Sequence, residues 1–270
     1  MAFAQISMYS QALAMDTDVC VLLPESRHGG GDITNPNRTH PVLYCLHGHG
    51  DDHTAWIRKS CIEMVARDYD LIVVMPTVQR GFYVDGINSL AYETYIAEEL
   101  PAKMRDFFHV SDDPAQTFVM GNSMGGYGAL RMALCHPENY EACCSLSPAL
   151  PQTFAGYESV LGEFNRGMEL AMGPLTEIPD GEFDALAMAD KLAASDGPKP
   201  RIFACCGTED AMTGMSFDLL DPHMQELAKA GRLDYTSERG AGGHDWWYWN
   251  PRIKRFVESL GLTGVNAQEG

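Results

Sequence analysis

The pentapeptide Gly121-Asn122-Ser123-Met124-Gly125 fits the pattern G-x-S-x-G, in which a strand turns abruptly into a helix and holds a serine hydroxyl above a sheet. Serine at such a turn takes a strained backbone conformation, and a side chain two residues to either side would collide with the neighbouring strand or helix. A hydroxyl becomes a useful nucleophile only with a base in reach. Of nine histidines, His244 in Gly242-Gly243-His244-Asp245-Trp246 is best placed, just before the last expected helix. The acid that fixes that histidine's tautomer should follow a strand lying between nucleophile and base in the chain. Ile202-Phe-Ala-Cys-Cys-Gly-Thr-Glu-Asp210 supplies Asp210, with Glu209 its close rival. Asp245 is disfavoured, because a residue adjacent to the histidine usually points elsewhere.

Attack on a carbonyl also needs two fixed donors for the oxyanion, each worth on the order of 10² to 10³ in turnover. One is expected at the backbone N–H of Met124, beside a helix N-terminus. The other is expected from Leu46-His47-Gly48-His49-Gly50, at the N–H of His49 with Gly50 as the alternative. The same loop holds three histidines and two aspartates in His47-Gly-His-Gly-Asp-Asp-His53. Their spacing matches no helical or strand pair that converges ligands on a metal, so no metal is assigned.

These residues must be carried by strands. Val42–Leu46, Leu71–Met75, Thr117–Met120, Ala142–Leu146 and Ile202–Cys206 are short apolar runs, each followed within two residues by Gly, Pro or Ser, as expected of a parallel sheet buried on both faces. Two earlier strands are expected at 3–13 and 18–24, then a loop at 26–39. Helix-period stretches intervene at about 55–68, 90–108, 124–135, 183–194, 217–230 and 246–260. The alternation predicts an α/β fold, a mostly parallel central sheet with helices on both faces. Ligands then bind beyond the carboxyl ends of the strands. Residues 148–182 break the alternation, their Phe, Met and Leu positions fitting no single period. They are expected to be a short cap excursion over those strand ends, inside a single domain spanning 1–270.

The chain has 270 residues, 45% of them hydrophobic, enough for one sizeable core. A formal charge of −18 repels phosphate backbones and anionic bilayers, so neither nucleic acid nor membrane is an expected partner. No apolar stretch approaches the length that crosses a bilayer. Eight cysteines include the adjacent pairs Cys143-Cys144 and Cys205-Cys206 inside apolar strands, where neighbours point to opposite faces and act as small core residues. No C-x-x-C spacing occurs, and residues 1–14 lack the basic and apolar regions of a signal peptide. A cytoplasmic location is the expectation. A homo-oligomer is compatible with the sequence.

Several linked segments resemble one family, the esterase D-like α/β hydrolases, which include S-formylglutathione hydrolases, tributyrin-type esterases, feruloyl and acetylxylan esterases, and mycolyltransferases. They are Leu46-His-Gly-His-Gly with Trp56 beyond it, Tyr92-Glu-Thr-Tyr-Ile-Ala-Glu-Glu-Leu-Pro101, Gly121-Asn-Ser-Met-Gly-Gly-Tyr-Gly-Ala-Leu130, Cys206-Gly-Thr-Glu-Asp210 and Gly243-His-Asp-Trp-Trp-Tyr-Trp249. The resemblance implies the α/β-hydrolase fold, Ser123, Asp210 and His244 as a triad, and His49 and Met124 as oxyanion donors. His49 and Gly50 stand where the formylglutathione branch differs, which places the chain nearer the tributyrin-type esterases. The implied activity is hydrolysis of short-chain carboxylic esters through an acyl-enzyme, with a small-molecule ester as partner and no cofactor. Alternatives are a formylglutathione hydrolase, a feruloyl or acetylxylan esterase, an acyltransferase, and a catalytically silent binding module. Trp56, Tyr83, Phe154 and Tyr157 are the candidate substrate-binding residues, with Phe164, Met168 and Met172 beside them in the excursion.

Overall fold

The computed structural model describes residues 1–25, 38–88, 90–155 and 158–262; most of the expected loop at 26–39 lies outside them, as does Tyr157. The strands are β1 (Ala2–Ser10), β2 (Met15–Leu23), β3 (Val42–Leu46), β4 (Ile72–Pro76), β5 (Thr117–Asn122), β6 (Ala142–Leu146), β7 (Arg201–Gly207) and β8 (Asp234–Gly240). They form one sheet in the order β1-β2-β4-β3-β5-β6-β7-β8. β1 pairs antiparallel with β2, and β2 with β4, whereas every pairing from β4 to β8 is parallel.

Side chains alternate between two apolar layers because successive strand residues point to opposite faces. Val42, Tyr44 and Leu46 of β3, Cys143 of β6 and Cys206 of β7 belong to one core. Leu43, Cys45, Cys144 and Cys205 belong to the other, so each adjacent cysteine pair is split across the sheet. The first layer is covered by α5 (Met124–Cys135), α7 (Ala185–Ala194), α8 (Gly214–Lys229) and the helical stretch at 92–107, the second by α1 (Ala55–Lys59), α2 (Ile62–Ala66) and α9 (Trp246–Ser259).

Three elements depart from the sequence expectation for identifiable reasons. β8 is an edge strand whose Asp, Thr, Ser, Glu and Arg residues are largely solvated, so it carries no apolar run to betray it. Within the excursion a helix, α6 (Glu158–Met172), breaks its helical geometry at Gly162, where φ is 26°. Its buried stripe runs Asn165, Met168, Ala171 and Met172. That spacing is helical, but the polar Asn165 hides the period; its Nδ2 donates to Phe154 O at 2.9 Å. The stretch at 92–107 is α3 (Tyr92–Thr94), a π-helical turn at Tyr95–Glu99, and α4 (Leu100–Phe107). Pro101 has no N–H for the Ala97 carbonyl and its ring crowds that turn; Asn139 Nδ2 donates to Ala97 O instead, at 3.2 Å.

α5, which starts beside Ser123, is tied to this stretch by a buried ion pair. Arg131 Nε and Nη2 donate to Glu93 Oε2 at 2.8 and 2.6 Å, and His136 Nε2 lies 3.0 Å from Glu93 Oε1. Burial alone would raise the Glu93 carboxyl, but the hydrogen bond to His136 and the charge and hydrogen bonds of Arg131 outweigh it and hold it below the ordinary range. A depressed folded-state value means the contribution to stability is present above the unfolded value of about 4.3 and is lost as pH falls through the folded one. Glu93→Gln leaves Arg131 buried without its counter-charge. It is expected to cost about 3 kcal/mol at pH 7. In urea unfolding, the gap from wild type should shrink toward pH 3; a gap independent of pH would exclude an ionic origin.

Candidate active site

The parallel strands bring four segments to one edge of the sheet. Register pairs Leu46 with Gly121, Asn122 with Leu146, Leu146 with Cys205, and Gly207 with Gly240. Beyond those carboxyl ends lie His49 after β3, Ser123 between β5 and α5, Asp210 after β7, and His244 between β8 and α9.

Ser123 sits at φ 56°, ψ −117°, immediately before α5, a left-handed conformation that costs a non-glycine residue roughly 1–3 kcal/mol. Its backbone is fully engaged: the N–H donates to Leu146 O at 2.8 Å, and the carbonyl accepts from Tyr127 and Ala149 N–H, both at 3.1 Å. The chain can turn this sharply only because backbone approaches backbone. A Cβ on Gly121 would lie 2.0 Å from Gly125 O, and one on Gly125 would lie 2.1 Å from Leu46 O. Both glycines of the pentapeptide are therefore steric requirements of the elbow.

The three rival carboxylates have distinct surroundings. Asp210 Oδ2 is 2.8 Å from His244 Nδ1, with the carboxylate side chain fully buried and the imidazole 18% exposed. Asp210 Oδ1 accepts from Met212 and Thr213 N–H at 3.0 and 2.9 Å, and Oδ2 also accepts from Thr213 Oγ1 at 2.9 Å. Burial alone would raise this carboxyl, but the hydrogen bond and charge of His244 and the bonds from Thr213 outweigh it and hold it well below the ordinary carboxylate range. Glu209 is exposed and accepts from Gly242 N–H at 2.9 Å, propping the loop that carries His244. Asp245 caps α9 through Tyr248 N–H at 3.0 Å.

The His244 ring is held on another side by Trp249, edge to face with centroids 5.0 Å apart. Trp249 Nε1 in turn donates to Ser147 Oγ at 3.0 Å. This support and Thr213 were missed from sequence, although Asp210-x-x-Thr213 is a legible side-chain-to-backbone turn signature.

The loop after β3 is braced through its first histidine. Val78 N–H donates to His47 Nε2 at 3.1 Å, so Nδ1 carries the proton, which it donates to Gly48 O at 2.8 Å. Tyr83 OH donates to His47 O at 2.8 Å. His53 turns to Thr77 Oγ1 and Gln5 Nε2, at 2.8 and 3.0 Å. The His49 ring instead packs edge to face on Phe164 at 4.5 Å. Burial, reinforced by the Arg80 charge, lowers the His49 imidazole to about 4, so it is neutral near pH 7. The three imidazoles diverge.

Of the four candidate substrate-binding residues, three are fully enclosed. Trp56, Tyr83 and Phe154 are each 0% exposed and show no surface to a ligand. Trp56 is a core residue, edge to face with Trp246 at 5.1 Å. Its assignment to a pocket wall is corrected on that ground: a ring with no exposed surface packs in the core. Phe154 supports Phe164 at 5.0 Å, and Phe164, half-buried, is the aromatic that meets His49. Tyr157 falls outside the described residues.

A mostly parallel eight-stranded sheet sandwiched by helices, with a serine at the strand-to-helix elbow, is the architecture of an α/β-hydrolase, and the chain is a serine hydrolase of that class. More particularly, residues 10–260 match the family model described as "Putative esterase", and the chain belongs to that esterase family. An acetyl esterase of Caldicellulosiruptor saccharolyticus is 29% identical over 267 residues, spanning 96% of this chain and 97% of the relative. Among solved structures, FphF, a fluorophosphonate-binding serine hydrolase of Staphylococcus aureus, superimposes with a TM-score of 0.82 at 27% identity, covering 98% of each chain. S-formylglutathione hydrolase (FrmB) of the same organism gives 0.81 at 27% identity, over 98% of this chain and 99% of that one. The protein is a carboxylic ester hydrolase of the serine esterase type. Among the described residues no helix is long and apolar enough to cross a membrane.

Proposed function

We propose that the chain hydrolyses short-chain acyl esters in two steps, with Ser123 as nucleophile, His244 as general base and acid, and Asp210 as the carboxylate that orients it. The reading rests chiefly on the 2.8 Å bond between Asp210 Oδ2 and His244 Nδ1, at the same sheet edge as the strained Ser123. With Nδ1–H turned to Asp210, Nε2 is the basic nitrogen. His244 takes the Ser123 proton as Oγ attacks the ester carbonyl, then gives it to the leaving alcohol. Water, deprotonated by the same nitrogen, releases the acid and restores Ser123. The N–H groups of Met124, at the N-terminus of α5, and of His49 receive the oxyanion, with the loop carrying His49 preorganised by the His47 and Tyr83 hydrogen bonds.

A short acyl group suits the close packing beside His49, where the half-buried Phe164 meets the imidazole and is backed by the enclosed Phe82 and Phe154. An acetyl esterase among the relatives points the same way. Each methylene forced against such packing costs roughly 1 kcal/mol or more. p-Nitrophenyl acetate should therefore exceed the octanoate in kcat/KM by at least about 100-fold, the effect of two to three such methylenes. Equal values would overturn the short-chain reading while leaving the chemistry intact.

In this reading residues 148–182 are a cap-like insertion in a single domain. Eight free cysteines favour a reducing, cytoplasmic setting.

A further inference from the structure

We propose that Thr213 is a positioning residue that acts on the reaction through Asp210 and His244; this rests on the Ser123–His244–Asp210 reading. Its side chain is fully buried at the end of the turn Asp210–Thr213, where α8 begins. Thr213 Oγ1 donates to Asp210 Oδ2 at 2.9 Å and lies 3.3 Å from His244 Nδ1.

A threonine hydroxyl has one proton and two lone pairs. With that proton committed to Oδ2, the face turned to Nδ1 is a lone pair, which is accommodated only if Nδ1 carries hydrogen. Oδ2, 2.8 Å from the same nitrogen, makes the same demand. The imidazole therefore faces two acceptors through one N–H, and the tautomer with Nε2 unprotonated is fixed twice. The hydroxyl also limits rotation of the carboxylate, whose other oxygen is held by Met212 and Thr213 N–H.

By donating to Oδ2, the hydroxyl draws negative charge from the oxygen that stabilises the imidazolium. Removing it leaves the full charge on Oδ2, 2.8 Å from Nδ1, which outweighs the loss of the longer 3.3 Å lone-pair contact, and loosens the orientation of His244. Two effects follow, in different observables: turnover falls because the base is less well aimed, and the acid limb of the pH profile moves up because the imidazolium is favoured. Around the pair, the titratable and charged groups are Cys206 on β7, with Sγ 3.6 Å from Asp210 Oδ2, Glu209 and Asp245 in the flanking loops, and Arg239 on β8, which reaches Gly214 O at 3.4 Å. Burial, reinforced by the Asp210 charge, pushes the Cys206 thiol up to about 12, out of the range of the assay. Thr213 does not titrate, so its replacement changes no proton count of its own.

The test compares Thr213→Val, which keeps the volume and removes the hydroxyl, with Thr213→Ser, which keeps the hydroxyl and removes the methyl. Both are assayed on p-nitrophenyl acetate from pH 5 to 9 beside wild type and Ser123→Ala, with melting curves for all. Thr213→Val is expected to lose about ten-fold in kcat with little change in KM, and its acid limb to rise by about half a pH unit. Thr213→Ser should return both to within about two-fold and a tenth or two of a unit. Wild-type turnover and an unmoved acid limb in Thr213→Val would overturn the proposal, as would a Thr213→Ser variant as impaired as Thr213→Val, since methyl packing would then be the cause. If Thr213→Val does not fold, Thr213→Ala takes its place and the Ser variant still decides. Substantial activity in Ser123→Ala would instead sink the underlying triad, a separate outcome.

Discussion

Ser123→Ala is expected to lower kcat for p-nitrophenyl acetate by roughly 10⁵ to 10⁶ while leaving a folded protein with an unchanged melting profile. The hydroxyl makes no hydrogen bond to any described residue, so its removal leaves no buried partner unsatisfied. The backbone bonds to Leu146, Tyr127 and Ala149 that hold the elbow are untouched. The effect should fall on chemistry alone. Because nucleophile and base act as a unit, Ser123→Ala combined with His244→Ala should be no worse than either alone. Additive losses would mean that the two residues serve separate steps.

The second large effect is expected at Asp210. In Asp210→Asn the amide must choose its orientation, and the two backbone N–H donors at Oδ1 require an oxygen there. The NH2 group is then directed at His244 Nδ1, which must become an acceptor, and the proton moves to Nε2. An imidazole with hydrogen on Nε2 cannot take a proton from Ser123, so kcat should fall by about 10⁴ with the fold preserved. Glu209→Gln provides the contrast. An exposed glutamine can still accept from Gly242 N–H through its amide oxygen, so activity should stay within about two-fold. Equal losses in the two variants would show that the acid is not distinguished from its neighbour.

The sheet edge was legible because apolar runs announce buried parallel strands, and each of Ser123, Asp210 and His49 comes directly after one. β3 and β6 match their expected bounds, since a strand buried on both faces has nothing polar to blur them. β8 escaped notice for the opposite reason: at the edge, Thr236 and Ser237 are as acceptable as valine. α6 was obscured by Asn165 standing in its apolar stripe. In the site, sequence order and residue type carry chain direction and reactivity, but not enclosure. Trp56, Tyr83 and Phe154 read as aromatics near a pocket, and only packing shows them fully enclosed, Trp56 against Trp246 and Phe154 beneath the half-buried Phe164. The Asp210-x-x-Thr213 turn is legible as a local pattern, but the approach of both residues to His244 joins the end of β7 to the segment between β8 and α9, and no local pattern encodes that.

The proposed chemistry turns on one oxygen atom. Treating the folded protein with a fluorophosphonate probe, then measuring intact mass and mapping the modified peptide, asks whether Ser123 Oγ is uniquely reactive. A single stoichiometric adduct on Ser123 is expected in wild type, with hydrolytic activity lost in proportion, and none in Ser123→Ala. An unlabelled wild-type protein that still hydrolyses esters, or an adduct on any other residue that accounts for the loss of activity, would contradict it.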